Sequence, residues 1–256
     1  MSGDPASAPS RDWDAATYDR VSDVQLSWAL EQLERLPLRG DEVVLDAGCG
    51  SGRVTAELVK RLPLGRVYGV DVAPSMIAHA RARLGGSATV LPQDLLELDL
   101  PEPVDVVFSN ATFHWIEDHD ALFATLGRAL KPQGRLIAQC GGEGNVASFL
   151  RAADSVASEE QFALYFKGWR WAGHFAGAHE TSARLERAGL TDVSCWLEPR
   201  AVTPADPIPF VQAVCLVRHL DRLPDQLRPA FRDHVLRRLG SPVTIDYVRL
   251  NMTARR

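Results

Sequence analysis

The stretch LDAGCGSGR, residues 45–53, sets an aspartate ahead of alternating glycines. Gly48, Gly50 and Gly52 give the spacing G-x-G-x-G after a Val-rich run, which reads as a strand entering a tight turn and then a helix. The dinucleotide fingerprint G-x-G-x-x-G would place a glycine at 53, where Arg53 stands. Asp71 falls 19 residues past Gly52, at the end of the next Val-rich run, where a carboxylate can accept both hydroxyls of a ribose. Asp94 follows a third such run and can take the amino proton of an adenine. Asp46 offers an acceptor to a cationic group, and residues 46–52 hold no Lys or Arg to grip a pyrophosphate.

These residues need a framework that brings successive strand ends together. EVVLDAG reads as a strand, RVTAELVKRL as a helix, RVYGVDV as a strand and PSMIAHARARL as a helix opened by Pro74. ATVLPQD and VDVVFSNA follow as strands, DALFATLGRALK as a helix and GRLIAQCGG as a strand, with KPQG at 131–134 as a stop-and-turn signal. Apolar runs without strict alternation suit strands covered on both faces, and strand–helix alternation implies right-handed crossovers. The expected fold is α/β, a doubly wound, mostly parallel sheet. Residues 13–36 suggest two helices, and 145–166 suggest one, followed by the Trp- and Gly-rich KGWRWAGHFAGAH. SARLERAGL then reads as a helix, DVSCWLEP as a strand, 206–239 as one or two helices, and VTIDYVRLNMTARR as a closing strand. The division this predicts is a helical lid over 1–40, a ligand-binding core over 41–142, a helical cap insertion over 143–187, and the end of the sheet with a helical insertion over 188–256.

Composition narrows the partners. The chain has 256 residues, 46% hydrophobic, with a net charge of −5 and no dense basic stripe, which argues against a nucleic acid. The opening MSGDPASAPSRD is polar, lacks a basic region leading into an apolar run, and predicts an unordered start to a cytoplasmic chain with no membrane span. Cys49, Cys140, Cys195 and Cys215 are scattered, as buried reduced thiols would be. His114 and His119 lie near Asp118 and Asp120, but the spacing reads as a loop and a helix start, so no metal site is expected.

A ligand with a ribose, an adenine and an ammonium but no phosphate matches S-adenosylmethionine (SAM). The ordered series LDAGCGSG, GVDVAPSMIAHAR, LPQDLLEL, VFSNATFHWI and LKPQGRLI resembles the successive motifs of class I SAM-dependent methyltransferases. That resemblance covers 40–142 and implies a seven-stranded sheet, its last two strands supplied by 190–256. Carried over, Gly48, Cys49 and Gly50 approach the methionine part, Asp46 its ammonium, and Asp71 the ribose. Val72 and Met76 flank the adenine, Asp94 and Leu95 bond it, and Asn110 lies beside the sulfonium.

The acceptor is suggested by WDAATYDRVSDVQ at 13–25 and SNATFHW at 109–115, which resemble trans-aconitate and malonyl-acyl-carrier-protein methyltransferases, both of which esterify carboxylates. The spacing of Tyr18 and Gln25 also resembles plant and insect carboxyl methyltransferases, in which a glutamine and a tryptophan hold the acceptor's carboxylate. The matching positions are Gln25 and Trp115, with Tyr18 and His114 converging over the cofactor. A cationic residue is usual at the Gln25 position in the aconitate enzymes, whereas YVRLNMTARR resembles that group more than the carrier-protein group. A carboxylate is ionised at neutral pH, so transfer needs no base. Orientation by neutral donors can supply up to about 7–11 kcal/mol of the barrier, with water exclusion adding to it.

Other readings stay open. His114 is either a hydrogen-bond partner or a base for a hydroxyl, amine or thiol acceptor. Trp169, Trp171, His174 and Phe175 either line the acceptor pocket or pack the cap. Arg249 is expected to pair with a surface carboxylate, with contact to a second acidic group of the acceptor as the alternative. A nicotinamide oxidoreductase and a SAM-binding protein without turnover are the competing functions, and the expected assembly is a monomer or homodimer.

Overall fold

The computed structural model describes Asp19 and residues 23–256; Tyr18, the helix expected over 13–23 and the unordered start fall outside the described residues, apart from Asp19 and Asp23. The described residues build one seven-stranded sheet in the order β3-β2-β1-β4-β5-β7-β6. Its parallel half comprises β1 (Val43–Ala47), β2 (Arg66–Asp71), β3 (Thr89–Pro92), β4 (Val104–Asn110) and β5 (Leu130–Gly141). β7 (Ile245–Arg255) inserts antiparallel between β5 and β6 (Thr191–Val202). All of β1 is buried, which explains its continuous apolar run.

Both faces are covered. Leu45, Ala47 and Val107 point into a core shared with α4 (His119–Ala129) and α7 (Ala178–Arg187). Val44, Val106 and Phe108 point the other way, toward α1 (Asp23–Glu34) and α2 (Arg53–Arg61). α3 (Pro74–Leu84) packs Ile77, Ala80 and Leu84 against Cys49 and Val90. Pro74 occupies its first turn, and Gly85 ends it at φ +54°.

A second body of apolar side chains lies beyond the strand ends. It joins Trp28 of α1 to α5 (Ala147–Ala157), α6 (Glu160–Phe166), the segment 210–235 and the start of β7. The helix expected over 145–166 breaks between α5 and α6. Ser158 Oγ donates back to Asp154 O at 2.9 Å, and Glu159 is extended with its carboxylate on His234 and Arg238. Region 206–239 is more broken than expected: α8 (Pro207–Phe210), a π-helical turn Val211–Cys215, α9 (Val217–Leu220), and α10 (Arg228–Leu239). KPQG lies inside β5, where Gln133 takes φ +65° beside a register shift against β4, so the turn signal appears as a bulge. No helix among the described residues is long and apolar enough to cross a membrane.

Candidate functional site

β1 delivers Asp46 and runs into the glycine turn. Gly48, Gly50 and Gly52 take φ of +83°, +53° and +80°, a region glycine enters without strain. A Cβ on Gly48 would collide with Thr112, so the position admits no side chain. The Gly48 and Cys49 amides both donate to Val70 O, at 2.8 and 2.9 Å, and tuck the turn against the end of β2. Asp71 there accepts the Gly50 N–H on one oxygen and the Ala73 N–H on the other, each at 2.9 Å. Burial raises the Asp71 pKa, and these amides oppose the rise. Asp46 is 2% exposed and accepts the Thr55 hydroxyl at 2.6 Å. Burial pushes its carboxyl up to about 7, opposed by Thr55 and assisted by the charge of Asp71. Asp94 caps the short turn Leu95–Glu97 by accepting the Leu96 N–H at 2.9 Å.

Three hollows meet at the strand ends. The largest, about 410 Å³, is bordered by Gly48, Gly50, Asp71, Val72, Met76, Asp94, Leu95 and Asn110. A second, about 70 Å³, lies between Gln25, Asp46, Gly48, Cys49, Gly50 and Asn110. The third, also about 70 Å³, is walled by Gln25, His114, Trp115, Asn145, Trp171 and Arg249. Ala111 borders all three and holds φ +60°, an uncommon conformation for a residue with a Cβ. The first two hollows fit a nucleoside joined to an amino acid. Asp71, a strand-end carboxylate fixed by amides, lines the first hollow where it could receive a ribose, and buried Asp46 lines the second where it could receive a cationic group; no lysine lines either hollow among the described residues, while Arg218 borders the first and Arg53 the second.

The third hollow differs in chemistry. Gln25 is buried, and its Oε1 meets no partner among the described residues. His114 is buried too, and its Nδ1 accepts the Gly141 N–H at 3.3 Å. The tautomer that this bond selects carries its hydrogen on Nε2. Burial, then the nearby charge of Arg249, drives the His114 pKa well below the ordinary imidazole value. Trp115 borders both the large hollow and this one, with the Arg218 guanidinium 4.6 Å from its ring centre and Trp171 at 5.7 Å.

Every expected site residue except Tyr18 therefore lies among the described residues and on the wall of at least one hollow. Asn110 also anchors α1: its Nδ2 donates to Gln25 O at 3.1 Å, and its Oδ1 accepts from Gln32 Nε2 at 3.2 Å. Trp171 and Phe175 line the third hollow, whereas Trp169 packs on Phe166 and His219, and His174 on His119. Arg53, which displaces the fingerprint glycine, reaches Asp19 O at 2.8 Å and Asp23 at 2.6 Å, tying the chain before α1 to the turn. The surface pairing expected of Arg249 is corrected: the residue is 2% exposed, with the Trp28 ring of α1 over its guanidinium and its Nε bonded to Gln139 of β5. Ala111, Asn145 and Arg218 went unnoticed in the sequence. Only the left-handed backbone at Ala111 marks it, and residue type does not encode that.

Residues 44–134 match the family described as "Methyltransferase domain". The chain is 31% identical over 265 residues to trans-aconitate 2-methyltransferase of Methylobacterium nodulans, an alignment spanning 96% of this chain and 98% of that one. It is 39% identical over 128 residues to the Escherichia coli enzyme of the same name, half of either chain. Among solved structures it resembles a Haemonchus contortus phosphoethanolamine N-methyltransferase in complex with S-adenosylhomocysteine, with a TM-score of 0.61 and 19% identity over 94% of this chain and 56% of that one. It also resembles the mycolic acid cyclopropane synthase CmaA1, with a TM-score of 0.59 and 15% identity over 96% and 90% of the two chains. Set beside the glycine turn and the strand order, the near full-length similarity leads to one conclusion: the chain belongs to the class I SAM-dependent methyltransferase family.

Proposed function

We propose that this methyltransferase forms methyl esters of a carboxylic acid, a small-molecule or carrier-bound acid of the trans-aconitate kind, held in the third hollow. One observation carries the reading. Among the described residues, that hollow is lined by neutral hydrogen-bonding groups and a guanidinium, with no Asp, Glu or Lys, and its one imidazole has its Nδ1 lone pair occupied. Such a wall suits a guest that arrives already ionised and needs no base. When bound, SAM supplies a methyl carbon on a sulfonium; its transfer to a carboxylate forms a C–O bond as the C–S bond breaks, the electron pair passing to sulfur, with no proton to remove. In this reading Gln25, Trp115 and the Nε2–H of His114 orient the carboxylate, while Asp46, Asp71 and Asp94 hold the cofactor with the glycine turn, Met76, Leu95 and Asn110. The names of the full-length relatives support the acceptor class.

The test is transfer of label from SAM to a panel of carboxylic acids, phenols, amines and thiols, with products sorted by base lability. Base-labile label on acids is expected, with kcat at saturating SAM flat from about pH 6 to 9, since the depressed His114 pKa keeps that imidazole neutral throughout. Gln25→Glu sets a carboxylate against the acceptor and is expected to cost at least about 100-fold in kcat/KM, with SAM affinity retained. Base-stable label on a phenol, amine or thiol, with activity rising through an imidazole pKa, would overturn the reading.

A further inference from the structure

Among the described residues, Ala111 alone borders all three hollows. The first and second also share Gly48, Gly50 and Asn110; Trp115 joins the third to the first, and Gln25 joins it to the second. A nucleoside joined through sulfur to an amino acid, spread over the first two hollows, has its sulfur at their boundary. A group passing from that boundary into the third hollow crosses at Ala111. The backbone there is held against its own preference. At φ +60° a Cβ crowds the following carbonyl oxygen, a strain that glycine escapes, and the turn positions 48, 50 and 52 with positive φ are all glycine. The Ala111 N–H donates to Gln139 O at 2.7 Å, one bond past the last register pair of β4 and β5. On one side Asn110 Nδ2 holds Gln25 O, and on the other Thr112 Oγ1 donates to Gly48 O at 3.2 Å. Ties to β5, α1 and the glycine turn therefore fix the residue, and its side chain cannot swing aside.

We propose that the Ala111 side chain gauges the passage between cofactor and acceptor, so that the protein transfers methyl and rejects the next larger alkyl group. The proposal rests on the third hollow being the acceptor's, as read above, and does not require the acceptor to be an acid. Reacting atoms in a displacement approach to about 3–3.5 Å, so a wall at the crossing touches the transferred group and an added carbon must displace it. One methylene against a fixed wall is worth about 10- to 200-fold in discrimination. The strain at Ala111 keeps a side chain where glycine would leave a wider gap. The transfer compared is the same for either alkyl group: the acceptor's lone pair bonds to the alkyl carbon as the C–S pair passes to sulfur, leaving S-adenosylhomocysteine.

The experiment uses the full chain, Ala111→Gly, and Gln133→Gly as a control, since Gln133 holds φ +65° in β5 and borders none of the three hollows. Calorimetry gives dissociation constants for SAM and S-adenosylethionine, thermal unfolding gives Tm without ligand, and methyl and ethyl transfer are followed to whichever acceptor of the panel takes label. Wild type is expected to bind SAM at least about tenfold tighter than S-adenosylethionine. Ala111→Gly is expected to narrow that ratio to within about threefold and to raise ethyl relative to methyl transfer at least about tenfold. Comparing the same two groups in both proteins cancels the intrinsic slowness of ethyl displacement. Both glycine variants are expected to raise Tm by about 1–3 °C through relief of strain, and Gln133→Gly to leave both ratios unchanged. Equal binding of the two cofactors by wild type, unchanged ratios in Ala111→Gly, or the same change in Gln133→Gly would overturn the proposal, and with acids still labelled would leave carboxyl methylation standing. The expected ratios with label only on a non-acid acceptor would reject the carboxylate reading and uphold the gauge.

Discussion

Asp46 is a carboxyl kept partly protonated at neutral pH by its own burial. With its pKa raised to about 7 from an ordinary value near 3.8, the folded chain binds more protons than the unfolded chain between those limits. Its contribution to stability is therefore present at low pH and is lost as pH rises through about 7. A cationic ligand beside it favours the ionised form, so SAM binding near neutral pH should release a proton. Calorimetry in buffers of different ionisation enthalpy is expected to show that release, with affinity rising from pH 6 to 8. Asp46→Asn, which keeps an oxygen for Thr55, is expected to abolish the proton release and weaken binding about tenfold. Unchanged affinity in that variant would remove Asp46 from the ligand's surroundings.

At the element scale, helix α1 brings Gln25 to the wall of both smaller hollows. Its hold on the sheet is specific: Asn110 at the end of β4 bonds Gln25 O and Gln32, and Arg53 of α2 bonds Asp23 at the start of α1. Gln32 is buried on α1 and lines none of the three hollows. Gln32→Leu removes the donor to Asn110 Oδ1 and keeps the bond from Asn110 Nδ2 to Gln25 O. Its expected effect is a fall of about tenfold in kcat for the acceptor, because a small displacement of Gln25 misaligns the transfer, with the SAM dissociation constant within about twofold of wild type. Equal loss in cofactor binding would mean that α1 supports the whole site rather than the acceptor side.

At the scale of the whole molecule, the described residues pack apolar side chains on both faces of the sheet and in a separate body in the cap. The cap body is dense in aromatic rings: Phe231 is fully buried, 5.1 Å from Phe162 and 5.3 Å from Phe166, and stacks on His219 at 6.0 Å. His219 is itself sealed from solvent, with both ring nitrogens lacking partners among the described residues, and burial lowers its pKa to about 4. Trp171 stacks on that imidazole and also forms the wall of the third hollow, so the cap's packing is transmitted to the acceptor side. Phe231→Ala is expected to cost about 3–5 kcal/mol, read as a fall in Tm, and to raise KM for the acceptor more than for SAM. A matching loss of affinity for both substrates would mean that cap and sheet unfold as one unit.

Much of the parallel half was legible in the chain itself. Val-rich runs, a left-handed glycine turn that tolerates no side chain at Gly48, and carboxylates at successive strand ends are local requirements of a buried parallel sheet, and residue type records them directly. Asp46, Asp71 and Asp94 could be located for that reason. The third hollow was legible only in part, because its walls come from α1, the loop after β4, the cap and the last strand, whose mutual placement depends on packing between distant segments. Gln25 and Trp115, singled out by their motifs, do line one hollow together. Arg249 was read as a surface residue because alternation along β7 does not say that Trp28 of α1 covers it. The sequence determined the glycine turn and the strand-end carboxylates; which charge stands inside the third hollow was decided by the tertiary structure, because burial is set by what packs over a strand rather than by its own residues.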